Sequence, residues 1–367
     1  MASTLPPPFQ NGDISYFNFQ PSSLKNWRNA VAGVRAGLSR ARLLCLGDST
    51  TAGVGSTALY NGNYPVNYPS YLTKQLNAYF APASNNSLIG TKNIDPVANP
   101  LYDSRLSMQT GWSQAGATSL GGPMFWCSTA NAAWSFTPTS VVDTIEIYTI
   151  GNFQTGTVTV NVDGGASLGT ISSNTGGGIV KTTYTVTKGL HTINIVQATG
   201  TMYLAGVIAY DSTVPAIDVV TSGYASGLVS DISGPAGNPW SCINVLGVYK
   251  PSLTVIALRI NDWLFHNSVT SYQANLTALV NAVLAAGSDV VLLGSPPSNG
   301  SVQSAPLTDQ EQYNIAQRAV ALATNVPLID VAKSWASYSA NLMSDGVHPK
   351  QIGYSKYAND VFRGITP

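Results

Sequence analysis

Two short polar motifs in this chain contain residue types that can carry out nucleophilic chemistry. Residues 47–49 read Gly-Asp-Ser after a short apolar run, and residues 345–349 read Asp-Gly-Val-His-Pro before the last helical pattern. A serine hydroxyl becomes a nucleophile when an imidazole accepts its proton and an acid orients that imidazole. The spacing lets Asp345 orient His348 while the other ring nitrogen faces Ser49, which makes these three the predicted catalytic residues. Each motif on its own is also compatible with an ordinary capped turn.

A second group of residues could donate hydrogen bonds to a developing negative charge. Residues 259–262 read Arg-Ile-Asn-Asp at the end of a predicted strand, where the Asn261 amide can donate to an oxyanion. We expect Asp262 to brace the same loop, and the alternative for both residues is a plain polar turn. After another predicted strand, Gly223 or Gly227 could bring a backbone N–H close to a substrate, because glycine has no side chain. Either glycine could equally be a turn residue.

Few residues are available for other kinds of catalysis. Of the three histidines, His191 lies in an alternating strand pattern and His266 follows an apolar segment, so we expect packing or hydrogen-bonding roles for both. The three cysteines, Cys45, Cys127 and Cys242, form no disulfide framework and lack metal-ligand spacing. Cys45 lies inside an apolar run and is expected to be buried. His, Asp and Glu form no cluster at ligand spacing, so metal catalysis is not expected.

The elements that must position these residues follow an alternating strand–helix pattern. Short apolar runs predict buried parallel strands at residues 41–46, 216–220, 253–258, 290–293 and 326–331. Apolar residues at helical spacing predict helices at residues 22–38, 69–80, 271–286 and 309–323, and after residue 349. This alternation predicts an α/β fold with a five-stranded parallel sheet. Ligands of such sheets bind at the carboxyl ends of the strands, where Ser49 and Asn261 are predicted to lie.

The segment between the first two predicted strands has a different sequence pattern. Alternating β-type runs at residues 155–163, 182–187 and 191–197 are separated by Gly-rich turns. This pattern predicts an antiparallel β-sandwich inserted into the α/β domain. The predicted division is therefore residues 1–82 and 214–367 for the α/β domain and residues 83–213 for the insert.

Together, the order of these motifs resembles the SGNH (GDSL-type) hydrolase family over residues 22–80 and 214–365. The resemblance implies a flavodoxin-like three-layer α/β/α fold and hydrolysis of esters without a metal or cofactor. Carried over by position, it makes Ser49 the nucleophile, His348 the base and Asp345 the orienting acid. It also implies an oxyanion hole formed by the Ser49 N–H, a glycine after the second strand and the Asn261 amide.

The chain departs from the family pattern at two places. Where the family reads Gly-x-Asn-Asp, this chain has Arg259, whose side chain must find room, shape the pocket or pair with a nearby acid. The spacing between the two candidate glycines is one residue longer than the commonest pattern. We prefer Gly227 as the oxyanion glycine, because residues 228–231 resemble the helix start that follows the family's glycine.

The composition excludes several classes of partner. Charged residues make up 9% of the chain, and 17 basic residues balance 17 acidic ones. Nucleic acids and anionic membranes both attract basic surfaces, so neither is an expected partner. No stretch is long and apolar enough to span a bilayer. The first ten residues are Pro-rich and lack the order of a signal peptide, whereas the neutral polar composition is typical of extracellular and virion proteins.

The insert is the best indication of the substrate. A β-sandwich joined to an esterase resembles the carbohydrate-binding modules of polysaccharide deacetylases, in which aromatic side chains stack on sugar rings. The candidates are Trp112, Phe125, Trp126 and Trp134, unless these rings fill the sandwich core. The favoured hypothesis is an O-deacetylase of a glycan. The alternatives are a broad short-chain esterase or lipase with the insert as a lid or oligomer contact, and a glycan-binding protein on a degenerate scaffold.

Overall fold

The computed structural model describes residues 15–20, 22–56, 64–89, 103–120, 122–174, 176–234, 237–299 and 306–366. The Pro-rich first ten residues lie outside these ranges. In chain order, the elements are β1 (Tyr16–Phe17), α1 (Lys25–Arg35), β2 (Ala41–Asp48), α2 (Ser49–Ala52), α3 (Tyr68–Tyr79), β3 (Ala83–Ser84), β4 (Ser87–Ile89), β5 (Leu106–Met108), β6 (Trp112–Ser119), β7 (Gly122–Cys127), β8 (Ala133–Phe136), β9 (Val142–Gly151), β10 (Gly156–Val162) and β11 (Gly169–Ser172). They continue with β12 (Gly178–Gly189), β13 (Ile193–Gly200), β14 (Met202–Tyr210), β15 (Ile217–Tyr224), α4 (Val229–Ser233), α5 (Cys242–Tyr249), β16 (Leu253–Ala257), α6 (Ile260–Leu264), α7 (Val269–Ala285), β17 (Asp289–Leu293), α8 (Leu307–Ala323), β18 (Leu328–Ile329), α9 (Val331–Trp335) and α10 (Gln351–Ile365).

The central sheet contains the five predicted parallel strands and two short additions. Its order is β1-β18-β17-β16-β2-β15-β3, so it has seven strands rather than five. The additions lie at the two edges: β1 pairs antiparallel with β18, and β3 pairs parallel with β15. Strands of two residues show no periodicity, which is why the sequence pattern misses them. Since β3 belongs to this sheet, the inserted strands begin at β4 and not at residue 83.

Helices cover both faces of the central sheet. Apolar side chains of α1, α3 and α10 pack in one core with one face of β2, β15 and β16. Those of α4, α5, α7 and α8 pack with the opposite face. Because each strand is covered on both sides, its sequence is a continuous apolar run, as expected for a buried parallel sheet.

The inserted strands form two antiparallel sheets that enclose one apolar core. One sheet has the order β11-β10-β13-β8-β5, and the other has the order β12-β9-β14-β7-β6, with β4 also pairing with β14. Three of the four aromatic residues predicted to bind sugars, Trp112, Phe125 and Trp134, are fully buried in this core. That prediction is therefore wrong for these three, because their strands turn them between the two sheets. Trp126 is the exception and is only partly buried.

The sandwich shares a second apolar core with the helices of the α/β layer. Every residue of β9 is buried, since alternate side chains face the sandwich interior and the α/β layer. At this junction the rings of Tyr148 and Tyr249 stack with centroids 4.2 Å apart. The Arg42 guanidinium also forms a buried ion pair with Glu146 at 3.0 Å. The insert is thus packed onto the α/β layer through apolar, aromatic and ionic contacts.

Candidate active site

Ser49 lies at the carboxyl end of β2, in the first position of the short helix α2. The Asp48 side chain caps this helix by accepting a hydrogen bond from the Thr50 N–H at 2.8 Å. Glycine at position 223 of the neighbouring strand lets α2 pack directly on the sheet. A Cβ atom there would lie 2.3 Å from the Ala52 nitrogen, so any side chain would displace the helix that carries Ser49. Gly223 thus has a packing role beneath α2.

Three side chains form a continuous chain of hydrogen bonds at this end of the sheet. The His348 Nε2 atom lies 2.9 Å from the Ser49 Oγ atom. The other ring nitrogen, Nδ1, lies 2.8 Å from the Oδ2 atom of Asp345. The structure therefore brings together the three residues that the sequence motifs predicted, across 299 positions of sequence.

The Asp345 carboxylate is held in place by the loop that carries the histidine. Its Oδ1 atom accepts hydrogen bonds from the backbone N–H groups of Val347 at 2.7 Å and His348 at 2.6 Å. Burial opposes ionisation of this group, but the hydrogen bonds and the nearby imidazole outweigh it and lower the pKa of Asp345 to about 2. The carboxylate is consequently ionised at neutral pH and accepts a hydrogen bond from the Nδ1–H group, which leaves Nε2 free to accept the proton of Ser49.

The loop after α2 packs against the histidine loop through a glycine. Gly55 has a φ of 84°, and a Cβ atom at this position would lie 2.7 Å from the His348 Cβ atom. The Tyr354 hydroxyl of α10 donates to the Val54 carbonyl at 2.6 Å, which joins the same loop to the last helix. These contacts fix the position of His348 relative to Ser49.

Asn261 lies in the first turn of α6, directly after β16, and is buried. Its Nδ2 atom donates to the Gly227 carbonyl at 3.0 Å, which fixes the orientation of the amide. An amide nitrogen carries two hydrogens, so one remains for a second acceptor. Asp262 accepts from the Val229 N–H at 3.1 Å and from the Asn267 amide at 2.6 Å, in agreement with the bracing role expected for it.

Gly227 is close to Asn261, but its N–H group is already used. It donates to the Tyr224 carbonyl at 2.9 Å and closes a turn after β15. This geometry does not support the expected role of the Gly227 N–H as an oxyanion donor. The residue before it, Ser226, has a φ of 62°, a left-handed conformation that is uncommon outside glycine. Sequence patterns gave no reason to single out Ser226, since an isolated serine carries no conformational signal.

Two buried charged residues flank this site without belonging to the hydrogen-bonded chain. Burial raises the pKa of Asp48 to about 6, although the hydrogen bonds from Thr50 oppose the shift. Arg259 is 1% exposed, and burial lowers its pKa. Among the described residues, none of its three guanidinium nitrogens has a hydrogen-bond partner, so the expected pairing with an acid is not found there.

The remaining candidates for catalysis lie elsewhere. The His191 ring lies 2.6 Å from both the Asp163 carboxylate and the Thr187 carbonyl within the sandwich. His266 is exposed at the end of α6. All three cysteines are buried as free thiols, and burial raises the pKa of Cys45 to about 12. Within the described ranges there is no group of three His, Cys, Asp or Glu residues that could hold a metal ion, and no helix that could cross a membrane.

Comparison of the sequence with known families gives one match, to the GDSL-like lipases and acylhydrolases over residues 199–356. The matched segment contains Asn261, Asp345 and His348, whereas Ser49 precedes the inserted strands. The chain is thus similar to this family over residues 199–356. This match confirms the predicted resemblance to GDSL-type hydrolases and supports a carboxylic ester hydrolase. No curated protein sequence matches the chain.

Comparison with solved structures bears on the fold of the chain. A peptidoglycan O-acetylesterase superposes with a TM-score of 0.71 at 16% identity, covering 95% of this chain and 97% of that chain. A lipase/acylhydrolase from Enterococcus faecalis matches with a TM-score of 0.34 at 22% identity, over 41% of this chain and 76% of that chain. An acetylxylan esterase mutant from Geobacillus stearothermophilus matches with a TM-score of 0.33 at 21% identity, over 41% and 73% of the two chains. Only the first superposition bears on the fold, and it extends over the inserted strands.

Proposed function

We propose that this hydrolase is a serine esterase that removes O-acetyl groups from a glycan, with Ser49 as nucleophile, His348 as general base and Asp345 as orienting acid. The observation that carries the proposal is the hydrogen-bonded chain from Ser49 Oγ through the imidazole to Asp345, with contacts of 2.9 and 2.8 Å. Such a chain is the arrangement that activates a serine hydroxyl.

The reaction proceeds through a covalent acyl-enzyme. His348 accepts the Ser49 proton while Oγ attacks the ester carbonyl, and the imidazolium then protonates the departing sugar hydroxyl. Water, deprotonated by the same imidazole, attacks the acetyl-enzyme and releases acetate and the serine hydroxyl. The ionised Asp345 stabilises the imidazolium in both steps and keeps the proton of the neutral ring on Nδ1.

Three donors are assigned to the oxyanion of the tetrahedral intermediates. The Ser49 N–H lies in the first turn of α2, and the second hydrogen of the Asn261 amide is left over after its bond to Gly227. We assign the third to the Ser226 N–H in place of Gly227, because the Gly227 N–H closes the turn and Ser226 holds the left-handed conformation within it. Each donor of this kind is worth about 3–4 kcal/mol of barrier.

The acetylated glycan is proposed from the combination of site and insert. The protein named as a peptidoglycan O-acetylesterase shares the fold over 95% of this chain, inserted strands included. The low charge of the chain, 9%, also suits a polyhydroxylated neutral ligand. The second candidate, a broad short-chain esterase or lipase, is favoured by the lipases in the matching family. It predicts that simple aryl esters are cleaved at least as well as acetylated glycans.

The test compares wild type, Ser49→Ala and the control Ser70→Ala. Ser70 is another buried helical serine, whose hydroxyl has no hydrogen-bond partner among the described residues. Acetate release is measured from acetylated xylan and O-acetylated peptidoglycan. Release of p-nitrophenol is measured from p-nitrophenyl acetate and p-nitrophenyl octanoate. We expect wild type and Ser70→Ala to favour acetyl esters and Ser49→Ala to be inactive. An active Ser49→Ala variant refutes the nucleophile, and a preference for octanoate refutes the deacetylase assignment.

A further inference from the structure

Four aromatic rings form a partly exposed cluster at the rim of the junction between the sandwich and the α/β layer. We call Trp126 of β7, Phe153 after β9, Tyr203 of β14 and Trp240 before α5 the aromatic patch. The sandwich supplies the first three rings, and the α/β layer supplies the fourth. The patch therefore exists only because the two parts pack together.

The four rings touch in sequence across the junction. Trp126 and Tyr203 are stacked, with centroids 6.5 Å apart and planes inclined by 24°. Phe153 meets Tyr203 edge-on at 5.1 Å and Trp240 at 4.5 Å. Trp126, Tyr203 and Trp240 rest on the core shared with the α/β layer, while Phe153 is 37% exposed. The patch thus presents aromatic surface to solvent on a packed base.

The loop that carries Trp240 is held against the sandwich. Gly178, at the start of β12, has a φ of 74°, and a Cβ atom there would lie 2.5 Å from the Pro239 carbonyl oxygen. The Asn238 side chain accepts from the Trp240 N–H at 3.0 Å. This loop follows α4, which begins two residues after Gly227 near the proposed oxyanion site. The loop that carries Trp240 is thus connected through α4 to the segment that contains Ser226 and Gly227.

The chain segments that carry the rings of the patch contain no charged residues. The four segments that carry its rings, residues 124–130, 150–156, 198–204 and 237–244, contain no Asp, Glu, Lys, Arg or His. Exposed amide and hydroxyl side chains flank the rings, among them Asn152, Gln154 and Ser128. A nucleic acid would need cations beside the rings. Sugar rings instead present polarised C–H groups to aromatic faces and hydroxyls to neutral amides.

We propose that the aromatic patch binds the neutral pyranose rings of the glycan chain whose acetyl esters are cleaved at Ser49. The proposal rests on the proposed function for its substrate class but assigns a separate binding surface. The patch holds the polymer at a distance from the reacting ester, so it acts on long substrates and leaves small esters unaffected. Phe153 is the most exposed of the four rings, so we expect its side chain to contact the glycan over the largest area.

The experiment compares Phe153→Ala, Phe153→Trp and Trp240→Ala with the control Tyr79→Ala. Tyr79 is 40% exposed on α3 and also contacts a second ring, Phe362, but lies outside the patch. We measure kcat/KM on p-nitrophenyl acetate, acetylated xylan and O-acetylated peptidoglycan. Binding of both glycans is measured separately in the Ser49→Ala background by affinity electrophoresis. Static light scattering reports the mass of each variant.

We expect Phe153→Ala and Trp240→Ala to lower kcat/KM and affinity on one or both glycans by about tenfold, with p-nitrophenyl acetate unchanged. Phe153→Trp and Tyr79→Ala should behave as wild type. Because Phe153 is exposed, its variant remains informative if Trp240→Ala fails to fold. If Phe153→Ala turns over and binds both glycans as wild type does, the proposal is overturned and the esterase assignment stays intact. The proposal is also overturned if Phe153→Ala differs in mass from wild type, because the patch is then a contact between copies of the chain. If wild type cleaves no ester, the proposed function fails, and the binding arm still decides the role of the patch.

Discussion

Replacing Asp345 by asparagine tests how the proposed triad selects the tautomer of its histidine. The Oδ1 atom of Asp345 accepts two backbone N–H groups, from Val347 and His348, while Oδ2 accepts from the imidazole at 2.8 Å. In an Asp345→Asn variant, only the amide oxygen can accept these two N–H groups, so it takes the Oδ1 position. The amide nitrogen then faces Nδ1 and donates to it.

The consequence is a histidine with its proton on the wrong nitrogen. When Nδ1 accepts a hydrogen bond, the proton of the neutral ring moves to Nε2, 2.9 Å from the Ser49 oxygen. The ring is then unable to accept the serine proton. The loop keeps both of its backbone hydrogen bonds, so the fold is preserved. We expect kcat to fall by about 10⁴-fold, the effect of the same substitution in serine proteases, which corresponds to about 5.5 kcal/mol of barrier.

The assay is steady-state hydrolysis of p-nitrophenyl acetate together with the rate of Ser49 labelling by a fluorophosphonate, which needs the same base. Asp309→Asn, in the first turn of α8, is the control for a change of charge outside the site. The thermal unfolding of Asp345→Asn at pH 7 should remain cooperative. A variant that retains more than a tenth of wild-type kcat and labelling rate would refute the reasoning about the tautomer.

Three further predictions concern the rest of the site and its support. Asn261→Ala should lower kcat on p-nitrophenyl acetate by about 10²–10³-fold with little change in KM, since the amide acts on the oxyanion. A rise in KM with kcat unchanged would contradict this. Asp48→Asn keeps an acceptor for Thr50 and removes a group whose folded pKa is raised to about 6. The folded state binds that proton more tightly than the unfolded state. As the pH rises from 4 to 6, the free energy of unfolding of wild type therefore falls by about 3 kcal/mol, whereas that of the variant does not. Thermal unfolding from pH 4 to 8 should show that the difference in stability between variant and wild type grows up to about pH 6 and is constant above it. A difference that does not change with pH would contradict the assignment. Trp134→Ala should lower the free energy of unfolding by about 3–5 kcal/mol. On heating, the calorimetric transition and the loss of esterase activity should coincide because the sandwich and the α/β layer share a core; two separate transitions would contradict this.

The sequence alone was enough to predict the α/β class and the three side chains, Ser49, Asp345 and His348, that the structure brings into one hydrogen-bonded chain. Buried parallel strands leave continuous apolar runs, and Ser49 and Asn261 each follow such a run directly, so their placement at one edge of the sheet is a local consequence of the chain. The three-residue spacing of Asp345 and His348 likewise sets up a contact within one loop. These features depend on neighbouring residues, which a sequence displays in full.

Only the tertiary structure decided which aromatic side chains of the sandwich strands are buried and which are accessible. Phe125 and Trp126 are neighbours in β7 and point to opposite sides, one into the sandwich core and one toward the junction. Since apolar layers cover both faces of that sheet, the pattern did not distinguish a core ring from an accessible one. The commitment of the Gly227 N–H to Tyr224 and the meeting of Phe153 with Trp240 depend on backbone geometry and packing between distant segments. Such contacts arise only when the folded layers come together.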